Sequence, residues 1–185
     1  MEDAPVCVLD TNVLINLALP VVDQRSDAPS GEDPFKTVLS EYEVHIPRVV
    51  LGEVTEIAEG TDLLGTAADL VLLGASHLRL HDTTGESVPA DDFGLDPGES
   101  HAIALANTLQ PDLFVTDEFN SANLQLIHLA IFDRNIVFTT PHVLCALASH
   151  GILHPQYVKH LLGYYSETRH WDRAYLDYLS EFFLD

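Results

Sequence analysis

Basic residues are the scarcest feature of this chain: 8 Lys plus Arg stand against 29 Asp plus Glu in 185 residues, a formal charge of -21 with neutral His. So little cation density disfavours unaided binding to nucleic acid or to an anionic membrane, because nothing replaces the counterions of the phosphates. A metal or a partner has to supply positive charge. Cysteine is nearly missing too. Cys7 and Cys145 are too few and too far apart in sequence to specify a disulfide-stapled secreted fold. No apolar run reaches the ~20 residues of a spanning helix, and Met1 leads into acidic residues without the basic segment and apolar core of a signal peptide. These absences predict a reduced, soluble, cytoplasmic protein. The phosphate loops G-x-x-x-x-G-K-S and G-x-G-x-x-G, the nucleophile elbow G-x-S-x-G and the zinc helix H-E-x-x-H are absent, so nucleotide-driven work and dinucleotide binding lack their usual signals.

What is there is a foldable body coated with acid. Asp and Glu recur from Glu2 to Asp185 with apolar groups between them, and 46% of residues are hydrophobic. A chain of this length buries roughly 70% of its extended surface, enough for one domain over 1–185. Asp outnumbers Glu by 17 to 12, and Lys36 and Lys159 are the only lysines. This composition resembles that of proteins from salt-in halophiles, where ~1 M salt shortens the screening length to about 3 Å and a large net charge no longer repels at long range.

Short apolar runs alternate with helical periodicity. Residues 5–9 read as a buried parallel strand stopped by Asp10-Thr11-Asn12 at the start of a helix. Residues 20–34, with Pro20, Pro29, Gly31 and Pro34, read as a loop or a frayed helix followed by a loop. A second strand is expected over 42–46, then a helix with Pro47 at its first position, Val50, Val54, Ile57 and Ala58 inward and Glu53, Glu56 and Glu59 on a neighbouring stripe. Thr61 is placed to cap the next helix, ending near Gly74, and 82–96 reads as a loop. Asp96-Pro97-Gly98-Glu99 forms a capping-box entrance to a helix. The segment 112–117 repeats the opening design of a strand ending in an acid; a helix over 121–130 and a strand over 135–139 complete an alternating α/β order. Residues 141–185 read as helices docked on that body or as a partner-facing arm. Their aromatic set Tyr157, Tyr164, Tyr165, Trp171, Tyr175, Tyr178, Phe182 and Phe183 suits core packing or a partner.

The chemistry sits in carboxylates. In an open α/β sheet, ligands gather beyond the carboxyl ends of the strands, which is where Asp10 and Asp117 fall. Glu53 and Glu99, from two helices, can add oxygens to the same crevice and together hold Mg²⁺ or Mn²⁺, hard cations suited to carboxylate, water and phosphate. Each has a plainer role: Asp10 caps a helix, Glu99 is the third residue of a capping box, Glu53 is surface and competes with Glu56, and Asp117 ends a strand. Thr11 and Asn12 can orient Asp10. Ser100, Thr116, Glu118 and Asn120 can hold water or phosphate, or satisfy local backbone. His77 with His81, and His150 with His154, have i,i+4 spacing but no Cys partner to make a zinc site. Arg48, Arg79, Arg134, Arg169 and Arg173 are the scarce cations for phosphate, and their spacing defines no patch.

Four ordered segments carry a resemblance to the PIN-domain nucleases. VLDTNVLI places the family's first acid at Asp10, PRVVLGEV the second at Glu53, DPGESHAIALA the third at Glu99 and FVTDEFNSANLQL the fourth at Asp117, with Glu118 as an additional acid; HVLCALASHGIL is similar to the later small-helix segment. The region 61–96 departs from the pattern, being longer than in the smallest toxin members. The resemblance implies a three-layer α/β/α fold with a mostly parallel central sheet, dependence on Mg²⁺ or Mn²⁺ and endoribonuclease activity. It also implies a homodimer and either a VapC-type toxin with an antitoxin partner or an RNA-processing role, here in a halophilic archaeal setting. In that reading Asp10 is a shared ligand, Glu99 and Asp117 bind metal directly, and Glu53 binds metal or metal-bound water, with one ion or two. A catalytically inactive PIN-fold scaffold for RNA or protein, a phosphatase and a DNA nuclease are the alternatives.

Overall fold

The computed structural model of the protein describes residues 4–26, 32–83, 85 and 95–184. Strand β1 (Val6–Leu9) leads into helix α1 (Thr11–Val22), and then come α2 (Pro34–Glu41), β2 (Glu43–Pro47), α3 (Arg48–Ala58), α4 (Leu63–Leu73) and β3 (Arg79–His81). The second half contains α5 (Pro97–Leu109), β4 (Leu113–Val115), α6 (Ser121–Ala130), β5 (Val137–Phe138), α7 (Thr140–Ser149), α8 (Pro155–Thr168) and α9 (Arg173–Leu184). The strands lie in the order β3-β2-β1-β4-β5 and every pairing is parallel. The expected mostly parallel sheet is therefore wholly parallel among the described residues.

Side-chain alternation along the strands sends successive residues to opposite faces and makes three layers. Cys7 and Leu9 of β1, Val44 and Ile46 of β2 and Val115 of β4 join the larger core, with Leu14 and Leu17 of α1, Ala67, Ala68 and Val71 of α4 and much of α7, α8 and α9. Val8 and Phe114 point the other way, onto Ala102, Ile103 and Ala106 of α5 and Ile127 and Ala130 of α6. The three C-terminal helices thus pack into the same core as β1. Of their aromatic set, Tyr157, Tyr164, Tyr165 and Trp171 are buried, whereas Tyr178 and Phe182 are exposed.

Several boundaries differ from expectation for local reasons. Helix α1 runs through Pro20 to Val22, where a loop or frayed helix was expected. Proline has no amide to offer the Asn16 carbonyl one turn back, and the Tyr165 hydroxyl donates to that oxygen at 2.7 Å instead. Pro34 opens α2, which Asp33 caps by accepting from the Lys36 amide at 2.9 Å. Pro47 ends β2 and does not begin α3. Asp62 rather than Thr61 caps α4, its carboxylate accepting from Gly65 N at 2.9 Å. The expected strand over 135–139 is shorter, because 134–136 form a 3-10 turn ahead of β5. Most of the expected 82–96 loop, and residues 27–31 of the earlier one, lie outside the described residues.

Candidate metal centre

Strand order reverses between β1 and β4: β2 and β3 step to one side of β1, and β5 lies on the far side of β4. Beyond the carboxyl ends of two such strands the helices diverge and leave a crevice. Asp10 and Asp117 each follow one of these strands by one or two residues.

Asp10 takes both of the roles its sequence allowed. Its Oδ1 accepts from the Val13 amide at 2.8 Å and caps α1. Its Oδ2 is buried in a residue 2% exposed and accepts no hydrogen bond within 3.5 Å, although the Thr116 hydroxyl still acts on the carboxyl and lowers its pKa. Leaving such an oxygen bare costs free energy that a cation recovers. Burial first, then the charges of Asp117 and Glu99, hold the Asp10 carboxyl well above the ordinary carboxylate range, against the pull of the Val13 amide and the Thr116 hydroxyl. Without a counter-charge the site favours a proton.

Glu53 reaches the crevice from α3, where the Thr11 hydroxyl donates to its Oε2. Its carboxylate lies on the first turn of α5, against Gly98, where any Cβ would overlap it. The glycine is thus a cradle, and the helix N-terminus beside it favours negative charge. Glu99 projects from the same turn, its amide donating to Asp96 Oδ1 at 2.8 Å. Burial, then Asp96, Glu118 and Glu53, push its carboxyl up to about 7. Asp10, Thr11, Asn12, Glu53 and Glu99 line one cleft of about 460 Å³, joined by Glu56, Ile57 and Asp96.

Asp117 does not line this cleft. Its Oδ1 accepts from the Thr140 amide at 2.8 Å, and its Oδ2 from the Thr140 hydroxyl at 2.6 Å and Asn16 Nδ2 at 2.8 Å. Thr140 opens α7, whose own cap residue Thr139 supplies no side-chain bond, so Asp117 caps that helix from a neighbouring strand. Burial raises its carboxyl, while the Thr140 hydroxyl, Asn16, the Thr140 amide and the Arg169 charge pull it back.

The other candidates divide the same way. Asn12 is exposed on the cleft wall. Ser100 Oγ is buried without a partner. Thr116 Oγ1 accepts from the Glu118 amide at 3.4 Å, Glu118 accepts from Asn120 N at 2.5 Å and Asn123 Nδ2 at 3.1 Å, and Asn120 caps α6. Glu118 nonetheless acts on Glu99 through its charge. His81 pairs across the sheet with His45 at 2.7 Å, and His154 caps α8.

Sequence reasoning missed Gly98 as a cradle and Asp96 as part of the wall, both inside a motif read for its capping. It also missed Asn16 and Thr140, whose partner Asp117 lies 101 and 23 residues away.

Among the described residues, no three His, Cys, Asp or Glu side chains come together tightly enough to enclose a metal ion. Among the described residues a cage of the structural-zinc kind is therefore not formed. Mg²⁺ asks for less: it keeps several waters and takes one or two carboxylates, with substrate phosphate completing the shell. Asp10, whose Oδ2 accepts no close hydrogen bond, lines the cleft with Glu53 and Glu99 and fits that demand. Neither a protein-family model nor a curated protein matches this chain.

Proposed function

We propose that this protein is a Mg²⁺- or Mn²⁺-dependent endoribonuclease of the PIN type, working in the cytoplasm as the toxin of a toxin-antitoxin pair or in RNA processing. The observation that carries the reading is the buried, unpartnered Oδ2 of Asp10 at the strand-order reversal, in a cleft shared with Glu53 and Glu99. The cation would be held by Asp10 and Glu99, with Glu53 holding its water, and it would supply positive charge against the phosphate and lower the pKa of water. Thr11 fixes Glu53, Gly98 lets it lie on the α5 terminus, and Asp96 fixes the turn bearing Glu99. Asp117 orients the junction of β4, α1 and α7, and its charge raises the affinity of Asp10 for a cation or a proton. Asn12, exposed on the cleft wall, would contact phosphate in this reading. RNA as substrate, an antitoxin and a homodimer belong to this proposal through the resemblance of the four motifs.

The three hydrogen bonds that Asp117 accepts, and the lack of a three-acid cage among the described residues, favour one other reading: a catalytically inactive scaffold of the same fold that binds RNA or protein. A nuclease assay in high KCl separates the two. The wild-type chain is incubated with RNA and DNA in Mg²⁺, in Mn²⁺ and in chelator, beside Asp10→Asn. RNA cleavage that needs the metal and vanishes in the variant is expected. RNA binding without cleavage in either metal favours the scaffold.

A further inference from the structure

Phe119, in the loop after β4, is one of several exposed aromatics among the described residues, with Phe132, Tyr178 and Phe182, and is the one that follows a strand-end acid. Phe119 follows Asp117 by two residues, so their Cα atoms are within about 7.6 Å, two virtual bonds of 3.8 Å. Its ring lies 4.8 Å from that of Trp171 and 5.9 Å from that of Tyr175, and it remains 36% exposed. Trp171 is itself stacked on the buried Tyr165 at 4.7 Å, so Phe119 rests on a rigid aromatic column. The charge of Arg169, two residues before Trp171, reaches Asp117.

Two residues beyond Trp171, again within about 7.6 Å between Cα atoms, Arg173 enters a second pocket of about 380 Å³ that Arg25, Lys159, His160 and Glu167 also line. Three of the eight Lys and Arg of the chain thus meet in one pocket of a protein of charge -21. Asp23 clamps the Arg25 guanidinium at 2.7 Å and Asp177 approaches Arg173 at 3.4 Å, yet the two arginine side chains stay 67% and 68% exposed. Each pair fixes a guanidinium that still has donors to give.

Proteins that hold single-stranded nucleic acid combine a cationic track for the backbone with aromatic faces on which bases stack. We propose that Phe119 on its Trp171 column is a base-stacking platform beside the acidic cleft, and that the Arg25, Lys159 and Arg173 pocket takes a phosphate farther along the same single-stranded RNA. This inference rests on the nuclease reading for the identity of the strand. The platform explains how a chain this acidic holds RNA: stacking needs no net positive charge, and three of the eight cations sit at the strand's next contact.

Trp171 is the only tryptophan, so its fluorescence reports the platform directly. The wild-type chain in chelator, and the Asp10→Asn chain in Mg²⁺, are titrated with oligouridine and with an abasic ribose-phosphate oligomer of equal length and charge. Oligouridine is expected to quench Trp171 and to bind about tenfold more tightly than the abasic oligomer, the worth of one stacked base. Phe119→Ala and Phe119→Leu lose that difference, Phe119→Tyr keeps it, and all three bind the abasic oligomer as the wild type does. Leucine refills the space without a π face, so a merely structural role for Phe119 predicts that it rescues. Arg173→Gln lowers the slope of log affinity against log KCl concentration by about 0.7, one phosphate contact on a single strand. Equal affinity for the two oligomers, or no binding of either, overturns the platform, and an unchanged slope in Arg173→Gln overturns the backbone pocket. RNA cleavage by the wild type in Mg²⁺ together with equal affinities sinks this inference alone; base-dependent binding with no cleavage by the wild type in Mg²⁺ or Mn²⁺ sinks the nuclease reading and leaves the platform standing.

Discussion

A carboxylate oxygen with no partner is the centre of the account. Asp10 spends one oxygen on its helix and leaves the other without a close donor, and Glu53, Glu56, Asp96 and Glu99 line the same cleft. The sign of the resulting pH dependence follows from Glu99. Its carboxyl titrates near 4.5 in the unfolded chain and at about 7 in the fold, so between those values the folded state holds the extra proton. In the metal-free protein Glu99 therefore contributes most at the acid end of that window and that contribution is lost as pH rises through it, while the burial of neutral His45 and His142 acts in the opposite direction. Divalent affinity runs the opposite way, because the proton has to leave first. Thermal unfolding in chelator between pH 5 and pH 8, beside a Mg²⁺ titration over the same range, checks both slopes; a stability that climbs with pH while affinity falls contradicts them. Gly98→Ala tests the cradle. An added methyl has to displace the Glu53 carboxylate, so metal-dependent cleavage is expected to fall by tenfold or more, with helix α5 itself unharmed because alanine suits a helix better than glycine. Unaltered cleavage in that variant removes Glu53 from the centre. None of this was readable from Gly98 alone, since the acid that needs it lies 45 positions earlier and on another helix.

Elements were legible where the signal was local. The runs before Asp10 and Asp117 gave strands, Asp96-Pro97 gave a helix start, and the helix over 121–130 has the expected ends. The pattern Asp33-Pro34 is the same signal and marks α2, which the prolines over 20–34 mask by suggesting a loop. The continuation of α1 through Pro20 had no local signal at all, because the donor that makes it tolerable is Tyr165, 149 residues away in contact with Asn16. That link is testable. Tyr165→Phe leaves a buried carbonyl unsatisfied and should cost about 1–3 kcal/mol. In a Pro20→Ala background the backbone amide returns, so the same change should cost far less, a coupling that a double-mutant cycle by denaturant unfolding measures. Equal costs in the two backgrounds contradict the exchange of donors. Asp117 is a parallel case: its strand-end position was legible, but its use as a remote cap for α7 was not, since that depends on where Thr140 arrives.

For the whole molecule, the charge of -21 sets the conditions in which the rest holds. Self-repulsion on that scale strains a compact state at low ionic strength and is screened within about 3 Å at ~1 M salt. Melting temperature is expected to rise steadily with KCl, and a flat profile would contradict the halophile-like reading of the composition. The acid on the surface and the acid in the cleft are different things, however: the first wants any dense electrolyte, the second a divalent ion. The most direct measurement of the centre is a Mn²⁺ titration in molar KCl, followed by the paramagnetic signal of the free ion, on the wild-type chain and on Asp10→Asn. Saturable uptake by the wild type, lost in a variant that still folds cooperatively, is the predicted result; equal uptake by both chains, or none by either, would show that the bare oxygen of Asp10 holds no ion.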